Sequence, residues 1–484
     1  MMAIIITIFL FGALLPQFLK DEKHIRRGAV WAASAGGLAV CVFSLPVLFG
    51  KEPSWSDSWW MIDPFSALMA SLIVFTYMAA IVVSYRYIGH EYQNGIVGVS
   101  QVRMYFSLIS LFALSMLAVV FADNTMLMWL SLEGTTLFSA FLVGLYKKKT
   151  SVEAAWKYVI LCSTGITLGL AGVLLMNYAG DSLNLDDNFF SLLFLTENAH
   201  LLPPEIIKWA FVFLFVGFGT KVGLVPMHAW LPDAHSKAPS PISALFSGVL
   251  LNVALYVIIR FKHIADSALG GSEWTNGFFL VFGLLSIALP ALALLIQDNY
   301  KRMLAYSSIE HMGLMSLAIA FSPLGLVAAF IHMIGHTFTK SALFFGAGEF
   351  LLKWKTTKIS KIGSTINHAP YTSVLFLVGI LAIIAAPPSV IFFSEFILFS
   401  RMFSTHWILA ICTLIAMSLV AFSMLHLAIR LVFEGESEEK MEKEKWNSTH
   451  TVISIELVLA FGLSFVLISP PGLAFIESLV KIVN

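Results

Sequence analysis

The sequence predicts an all-α polytopic membrane protein of about 14 transmembrane helices. Three observations carry that expectation. Of 484 residues, 58% are hydrophobic and only 12% are charged, where soluble domains carry roughly 25% charged residues. Apolar runs long enough to cross a bilayer recur from one end of the chain to the other. Basic residues gather in alternate loops between those runs. A chain this poor in charge could not solvate its own surface in water, so that surface faces lipid.

Crossing the hydrocarbon takes about 20 apolar residues in a helix, the one open structure that satisfies its own backbone. Runs of that kind lie near 2–17, 28–49, 62–85, 104–122, 125–146, 154–178, 206–227 and 241–261. Six more lie near 277–297, 303–321, 324–352, 371–400, 406–433 and 451–476. The first, MAIIITIFLFGALLPQ ahead of KDEKHIRR, lacks a basic leading region and an A-x-A-like cleavage site. It is expected to stay as an uncleaved first helix.

The odd-numbered loops hold Lys20, Lys23, Arg26, Arg27, Arg86, Arg103, Lys147, Lys148, Lys149, Lys301, Arg302, Lys353, Lys355, Lys358 and Lys361. The even-numbered loops hold far fewer, among them Lys51, Arg260, Lys262 and Arg401. The positive-inside rule then puts the odd loops in the cytoplasm and both termini outside a cell membrane.

These runs divide the chain into N-terminal helices (1–103), a first five-helix unit (104–261), a second (277–433) and a C-terminal helix (451–484). The seventh and twelfth runs carry prolines in mid-run, Pro226 and Pro387–Pro388. Proline removes a backbone hydrogen bond and opens the helix, so both are expected to be interrupted. Their spacing, five runs apart, suggests two inverted five-helix repeats, helices 4–8 and 9–13. The charge-dense EGESEEKMEKEK at 434–445 reads as a solvated loop or surface helix. The loop 180–205, with Asp181, Asp186, Asp187 and Glu197, reads as a packing or solvation surface.

Several function classes fall away. Formal net charge is +0, and no basic body suggests nucleic acid. Cys41, Cys162 and Cys412 are far apart in apolar runs, so no metal site and no redox cofactor is expected in this chain. No P-loop, G-x-S-x-G or HExxH motif is present, and no catalytic residue is expected. Energy for any transport must come from an ion gradient or from partner subunits.

What remains informative is charge where charge is expensive. An ionisable group in mid-membrane costs several kcal/mol unless it is paired or faces water, so such groups mark pathways. Glu133 in the fifth run, Lys221 in the seventh and Glu395 in the twelfth stand out as proton-relay candidates. His332, His336 and Lys340 in the eleventh follow at i, i+4 and i+8, along one helical stripe. Two unit charges ~6 Å apart at an effective dielectric near 20 interact by about 3 kcal/mol, enough to decide which of them holds a proton. Glu133 beside Lys221 is expected to couple in this way. Lys157, and Glu310 with its neighbour His311, are further candidates, although both could sit near an interface. His228, Asp233 and His235 flank a turn after the seventh run, where a structural role is the simpler reading; His228 stays a candidate.

The assembled residues resemble the antiporter-like membrane subunits shared by complex I, Mrp-type cation/proton antiporters and energy-converting hydrogenases. The resemblance runs from DPFSALM at 63–69 through the thirteenth run. It is carried by the Glu133 segment, by GTKVGLVPMHAWLPDAHSKAPSPISALFSG at 219–248 and by QDNYKRMLAYSSIEHMG at 297–313. The SSIEHMG and SGVLLNVALY wording is nearest the hydrogenase-4 and formate-hydrogenlyase branch. The resemblance implies a Glu133–Lys221 couple in the first half. It also implies a central hydrophilic axis that includes His332, His336 and Lys340, and a Glu395 at a position held elsewhere by Lys or Glu. One departure is Asn252, where many relatives carry a lysine; an amide can bind water but cannot carry a proton as charge.

The function implied is translocation of H⁺ or Na⁺ within a membrane-bound redox complex of the group 4 [NiFe] hydrogenase type, with other membrane and soluble subunits and lipid as partners. Two alternatives remain open at this point: a subunit of a redox-free Mrp-type antiporter, and a coupling scaffold in an inorganic-carbon uptake complex.

Overall fold

The computed structural model describes residues 2–51, 54–185, 189–435 and 442–482, and within them the chain is almost wholly helical. The helices are α1 (Met2–Phe18), α2 (Glu22–Leu48), α3 (Pro64–Gln93), α4 (Val99–Phe121), α5 (Thr125–Val143) and α6 (Lys149–Asp181). Next come α7a (Pro204–Val222), α7b (Trp230–Lys237), α8 (Ser240–Leu269), α9 (Glu273–Leu294), α10 (Tyr300–Ala320) and α11 (Leu324–Trp354). The chain ends with α12a (Pro370–Ile383), α12b (Val390–Thr405), α13 (Trp407–Phe433), α14 (Ser448–Leu467) and α15 (Pro470–Val480).

Among the described residues, ten helices are long and apolar enough to cross a membrane. The four other expected spans are helical but fall short of that mark. Helix α1 and both halves of α12 are short, and α10 and α11 dilute their apolar residues with polar ones. Large apolar side chains such as Leu137, Phe141, Trp156, Ile160, Leu292, Phe396, Ile415 and Val458 stand exposed on the outside of the bundle. In water that surface would drive aggregation; in a bilayer it is the lipid-facing belt.

Local chemistry sets where helices begin. Asp63 caps α3 by accepting from the Ser66 N–H, with Pro64 at the first helical position. Asn124 caps α5, Asn299 caps α10 and Ser389 caps α12b in the same manner. A two-residue antiparallel pair, β1 (Trp55–Ser56) and β2 (Met61–Ile62), precedes α3. The periodicity of the sequence does not announce it.

Both expected breaks are present. Helix α7a ends on Gly223 at φ 82°, a left-handed conformation that costs glycine nothing. The carbonyl of Thr220 freed by the break accepts from the Trp230 indole at 2.8 Å, and Ser286 accepts from the Val225 N–H at 2.9 Å. Helix α12 opens between Ile383 and Val390, through Pro387 and Pro388.

A third irregularity escaped the sequence: α8 contains a π-turn at Phe246–Leu250. Its Gly248 carbonyl accepts from Thr337 at 2.8 Å and from Asn252 at 3.1 Å, which ties α8 to α11 at that point. Such bulges free a carbonyl for a side chain to take up.

Small residues let backbones meet. Gly165, Gly169 and Gly172 on α6 face Thr220, Phe218 and Leu214 on α7a, and a Cβ on Gly217 would fall on the backbone of Gly169. Backbone cannot yield as a side chain can. Gly217→Val is therefore expected to destabilise the bundle by about 1–3 kcal/mol, read as a lower midpoint of thermal inactivation in detergent.

Helix α11 is the centre of the second half. Every residue from Gly325 to Phe350 is buried, against α3, α8, α10, both halves of α12, and α14.

Several expectations about the surface need correction. Lys301 and Arg26 are not free loop cations. Lys301 is fully buried and donates to the Ala238 carbonyl at 2.7 Å, at the C-terminus of α7b, where the helix dipole favours a cation. Arg26 is buried against Glu22 and the Tyr85 carbonyl, both at 2.6 Å.

The 434–445 stretch is only partly described, residues 436–441 lying outside the described set. Its described residues Glu434, Gly435, Glu442, Lys443 and Lys445 are exposed, as expected of a solvated stretch, while Glu444 turns in and accepts from the Thr372 N–H and hydroxyl, each at 2.8 Å. In the 180–205 loop, Asp186 and Asp187 lie outside the described residues, while the remainder folds back over the start of α5. There Asp123 accepts from the Leu193 N–H at 3.0 Å.

Candidate functional site

Two buried polar clusters occupy the bundle, one in each half. In the first, Lys221 is fully buried on the last turn of α7a. Its ammonium donates to the Thr136 hydroxyl at 2.8 Å and to the Tyr158 hydroxyl at 2.7 Å, and lies 4.9 Å from the centre of the Tyr158 ring. Tyr158 in turn shares a hydrogen bond with Ser139 at 2.8 Å.

Glu133, one turn before Thr136 on α5, accepts from Ser163 at 2.7 Å. Its second oxygen is buried without a partner. Among the described residues Glu133 and Lys221 form no direct ion pair, and the coupling expected of two charges ~6 Å apart requires none. Hydroxyls solvate the lysine, and Ser163 solvates the carboxylate. A lysine held only by neutral hydroxyls can give up its proton without leaving a carboxylate unpaired. Tyr158→Phe removes one of the two hydroxyls, and ion movement through the subunit is expected to slow about tenfold with assembly unchanged, measured as initial uptake into proteoliposomes.

Lys157 lies apart from this cluster. It is half exposed and pairs with Glu153 at 2.9 Å and Asp233 at 3.3 Å, and Asp233 also binds Arg302 at 2.9 Å. This network belongs to the bundle edge, where exposed pairs contribute little to stability. His228 sits part-buried in the break of α7 with its Nδ1 unpartnered.

The second cluster follows α11. His332 shares a hydrogen bond between its Nε2 and the His311 Nδ1 at 3.0 Å, and its Nδ1 meets the Ser394 hydroxyl at 2.9 Å. The other nitrogen of His311 lies 3.4 Å from Glu310. Glu310 and Glu395 together line a small cavity of about 20 Å³, beside Ile383 and Ile384 at the break of α12 and under Met417. That is room for about one water molecule.

One turn along α11, the His336 ring lies 5.4 Å from His311 and 6.4 Å from His332, centre to centre. Neither of its nitrogens has a protein partner. One turn further, Lys340 is fully buried and donates to the Leu304 carbonyl at 3.0 Å. Because successive steps of four residues drift around the helix, this stripe winds slowly rather than staying on one face.

Asn252 touches the same helix from α8. Its amide donates to Gly248 and, at 3.1 Å, to Thr337, leaving its oxygen buried without a partner. The side chain therefore clamps the π-turn, and its free oxygen is an acceptor for a water.

His311, His332 and Glu395 offer ligand atoms that all lie within 4.8 Å of one another, a set able to hold a cation. The His311–His332 hydrogen bond already occupies one nitrogen of each ring. That arrangement suits proton exchange between imidazoles better than metal binding.

Four buried groups were missed or misplaced by sequence reasoning. His235 is fully buried with both nitrogens unpartnered, and its ring stacks on Phe344 at 4.9 Å. It continues the α11 stripe one turn beyond Lys340. Lys301 stands among the loop cations in the sequence, yet it is fully buried. Glu456 on α14 accepts from Ser341 at 2.8 Å and is fully buried. Its place in mid-run was a signal as good as that of Glu395. Glu91, near the end of α3, lies just past the third apolar run, and no sequence signal distinguished it.

Between the two clusters stands an aromatic partition. Phe246 lies 5.8 Å from Tyr158 on one side and 5.6 Å from His235 on the other.

The family described as NADH:quinone oxidoreductase/Mrp antiporter, transmembrane, matches residues 122–423, which include both clusters. A hydrogenase-4 component F homolog from Methylacidiphilum infernorum is 35% identical over 421 residues, covering 86% of this chain and 87% of that protein. Hydrogenase-4 component B of Escherichia coli is 29% identical over 421 residues, 82% of this chain and 60% of the relative. The NADH-quinone oxidoreductase subunit N of Ruthia magnifica is 30% identical over 368 residues, covering 74% of each chain.

Two solved structures share the fold. A chain of the archaeal membrane-bound sulfane sulfur reductase superposes with a TM-score of 0.83 at 21% identity, over 100% of this chain and 96% of that one. A chain of respiratory complex I from Thermus thermophilus superposes with a TM-score of 0.77 at 20% identity, over 98% of both.

Proposed function

The chain belongs to the NADH:quinone oxidoreductase/Mrp antiporter family of membrane subunits, and from that premise we propose that it carries protons across the membrane within a redox complex of the hydrogenase-4 type. It is an antiporter-like, multi-pass membrane subunit of the kind found in such complexes. The observation that carries the proton reading is the buried run from Glu395 and Glu310 through His311, His332 and His336 to Lys340. Imidazoles that share a hydrogen bond can pass a proton from one ring to the next, which favours H⁺ over Na⁺ in this reading.

Glu133 and Lys221 form the second relay unit in this reading, with Lys157 and His228 near its edge. Asn252 acts through bound water rather than through a charge of its own. Residues 104–261 and 277–433 are read as two five-helix repeats, supported by breaks in α7 and α12 that fall five helices apart. Redox centres, electron donor and acceptor belong to other subunits, since Cys41, Cys162 and Cys412 lie far apart. The basic loops are read as cytoplasmic and the termini as outside, in the cell membrane.

The test is ion uptake by the reconstituted whole complex with Lys221→Ala and Lys221→Arg. Uptake is expected to fall by roughly 10²-fold in both, because a guanidinium does not release its proton. Normal uptake in both variants, with full subunit content, would mean that these charges are structural pairs in a coupling scaffold.

A further inference from the structure

The α11 stripe does not stop at Lys340. Four residues on lies Phe344, against which His235 stacks, and four beyond that lies Gly348. A Cβ at Gly348 would meet Ser240 and the Tyr87 ring, so Ser240 on α8 and Tyr87 on α3 both pack against α11 at that point. The Tyr87 hydroxyl lies 3.4 Å from that of Tyr146, which donates to Glu91 at 2.7 Å. Glu91 is only 5% exposed, and its other oxygen is buried with no partner. On the far side of Glu91 a recess of about 220 Å³ opens between the ends of α3 and α11, walled by His90, Asn94, Tyr146, Lys148 and Lys355. That volume holds several waters.

Resting on the proton-translocating reading above, we infer that this recess is the inlet by which protons from the basic face reach the buried axis, with Glu91 as the group that loads them. A carboxylate suits the task because it meets both sides at once: Glu91 lines the recess together with Lys148, and it accepts from the Tyr146 hydroxyl. A proton taken up from the recess passes to Tyr146 and Tyr87 and so to the buried polar groups at Ser240, Lys301 and His235. The hydroxyl of Ser240 and both nitrogens of His235 are buried without protein partners. The matched family region covers residues 122–423 and leaves Glu91 outside it. The loading group is thus supplied by a helix that flanks the matched region.

The experiment uses the reconstituted whole complex with Glu91→Gln, which keeps the shape and removes the titrating group, and Glu91→Asp, which keeps it. Lys340→Met is prepared in parallel. Initial proton uptake is expected to fall about tenfold or more in Glu91→Gln and to recover in part in Glu91→Asp. A water-soluble carbodiimide added to the basic face is expected to modify Glu91 of the unaltered complex, read by peptide mass spectrometry.

Full uptake in Glu91→Gln alongside loss in Lys340→Met overturns the inlet and leaves the translocation reading standing. Full uptake in both overturns that reading as well. An unmodified Glu91 at a carbodiimide concentration that labels exposed carboxylates on the same face also overturns the inlet. Should Glu91→Gln fail to assemble, Tyr146→Phe cuts the same link while keeping the ring, and the same outcomes decide.

Discussion

Lys340→Met is expected to reduce proton translocation by the assembled complex roughly 10²-fold or more, the loss typical of removing a proton-transfer group. Among the described residues the Lys340 ammonium donates to the Leu304 carbonyl and forms no ion pair with a carboxylate. It sits fully buried one turn from His336, whose nitrogens both lack protein partners among the described residues. A group in that position is held charged only as long as its neighbours permit, which is the property a relay requires. Lys340→Arg separates the relay from a fixed charge. It preserves the positive charge but does not deprotonate at any working pH, so it is expected to fail as badly as Met. The measurement is initial uptake into proteoliposomes, normalised to subunit content. Wild-type uptake by the Arg variant would show that Lys340 supplies a static field only.

The second large effect concerns stability. Arg260 on α8 donates to Asp63 at 2.6 Å, and its guanidinium lies 4.9 Å from the Tyr256 ring and 5.1 Å from the Phe65 ring. Asp63 is also the cap of α3. Asp63→Ala leaves a buried, unpaired guanidinium and is expected to cost about 3–5 kcal/mol, with about 1 kcal/mol more from the lost cap. The complex should then be recovered in low yield and with a markedly lower thermal midpoint. The double variant Asp63→Ala/Arg260→Met, which removes both charges, should be less damaged than Asp63→Ala alone. Equal damage would mean that the cap, not the ion pair, holds this corner.

Burial works to raise the Asp63 carboxyl, but the Arg260 charge and the Ser66 donors outweigh it and hold it below the ordinary value of 3.8. The pair's contribution is accordingly complete above about pH 4 and is lost as pH falls through the lower folded-state value.

Much of the fold and part of the site were legible in the residues alone. Glu133, Lys221, His332, His336, Lys340 and Glu395 stood out because each sits in an apolar run, and every one lies in or beside a buried polar cluster. The breaks in α7 and α12 were legible from Pro226 and Pro387–Pro388. Partnership was not legible. The hydroxyls that hold the Lys221 ammonium, Thr136 and Tyr158, read as ordinary helix residues in the sequence. Lys301 looked like any cytoplasmic cation because nothing local says that the end of α7b will close over it. Glu91 was invisible for a related reason. It ends an apolar helix, where a charge is commonplace, and only its tyrosines and the recess beyond distinguish it.

The sequence by itself determined the solvent, the helical class, the positions of the two breaks and the set of charges that had to be explained. Those properties follow from local quantities: the apolar content of a run, the missing N–H of a proline, the cost of a charge in hydrocarbon. The tertiary structure decided which polar groups meet. That depends on the rotation and depth of each helix against its neighbours, set by contacts such as Gly217 on Gly169 and Thr337 on the π-turn of α8. A shift of one residue turns a side chain by about 100° around a helix axis, so the partner of Lys221 and the burial of Lys301 exist only once the bundle has closed.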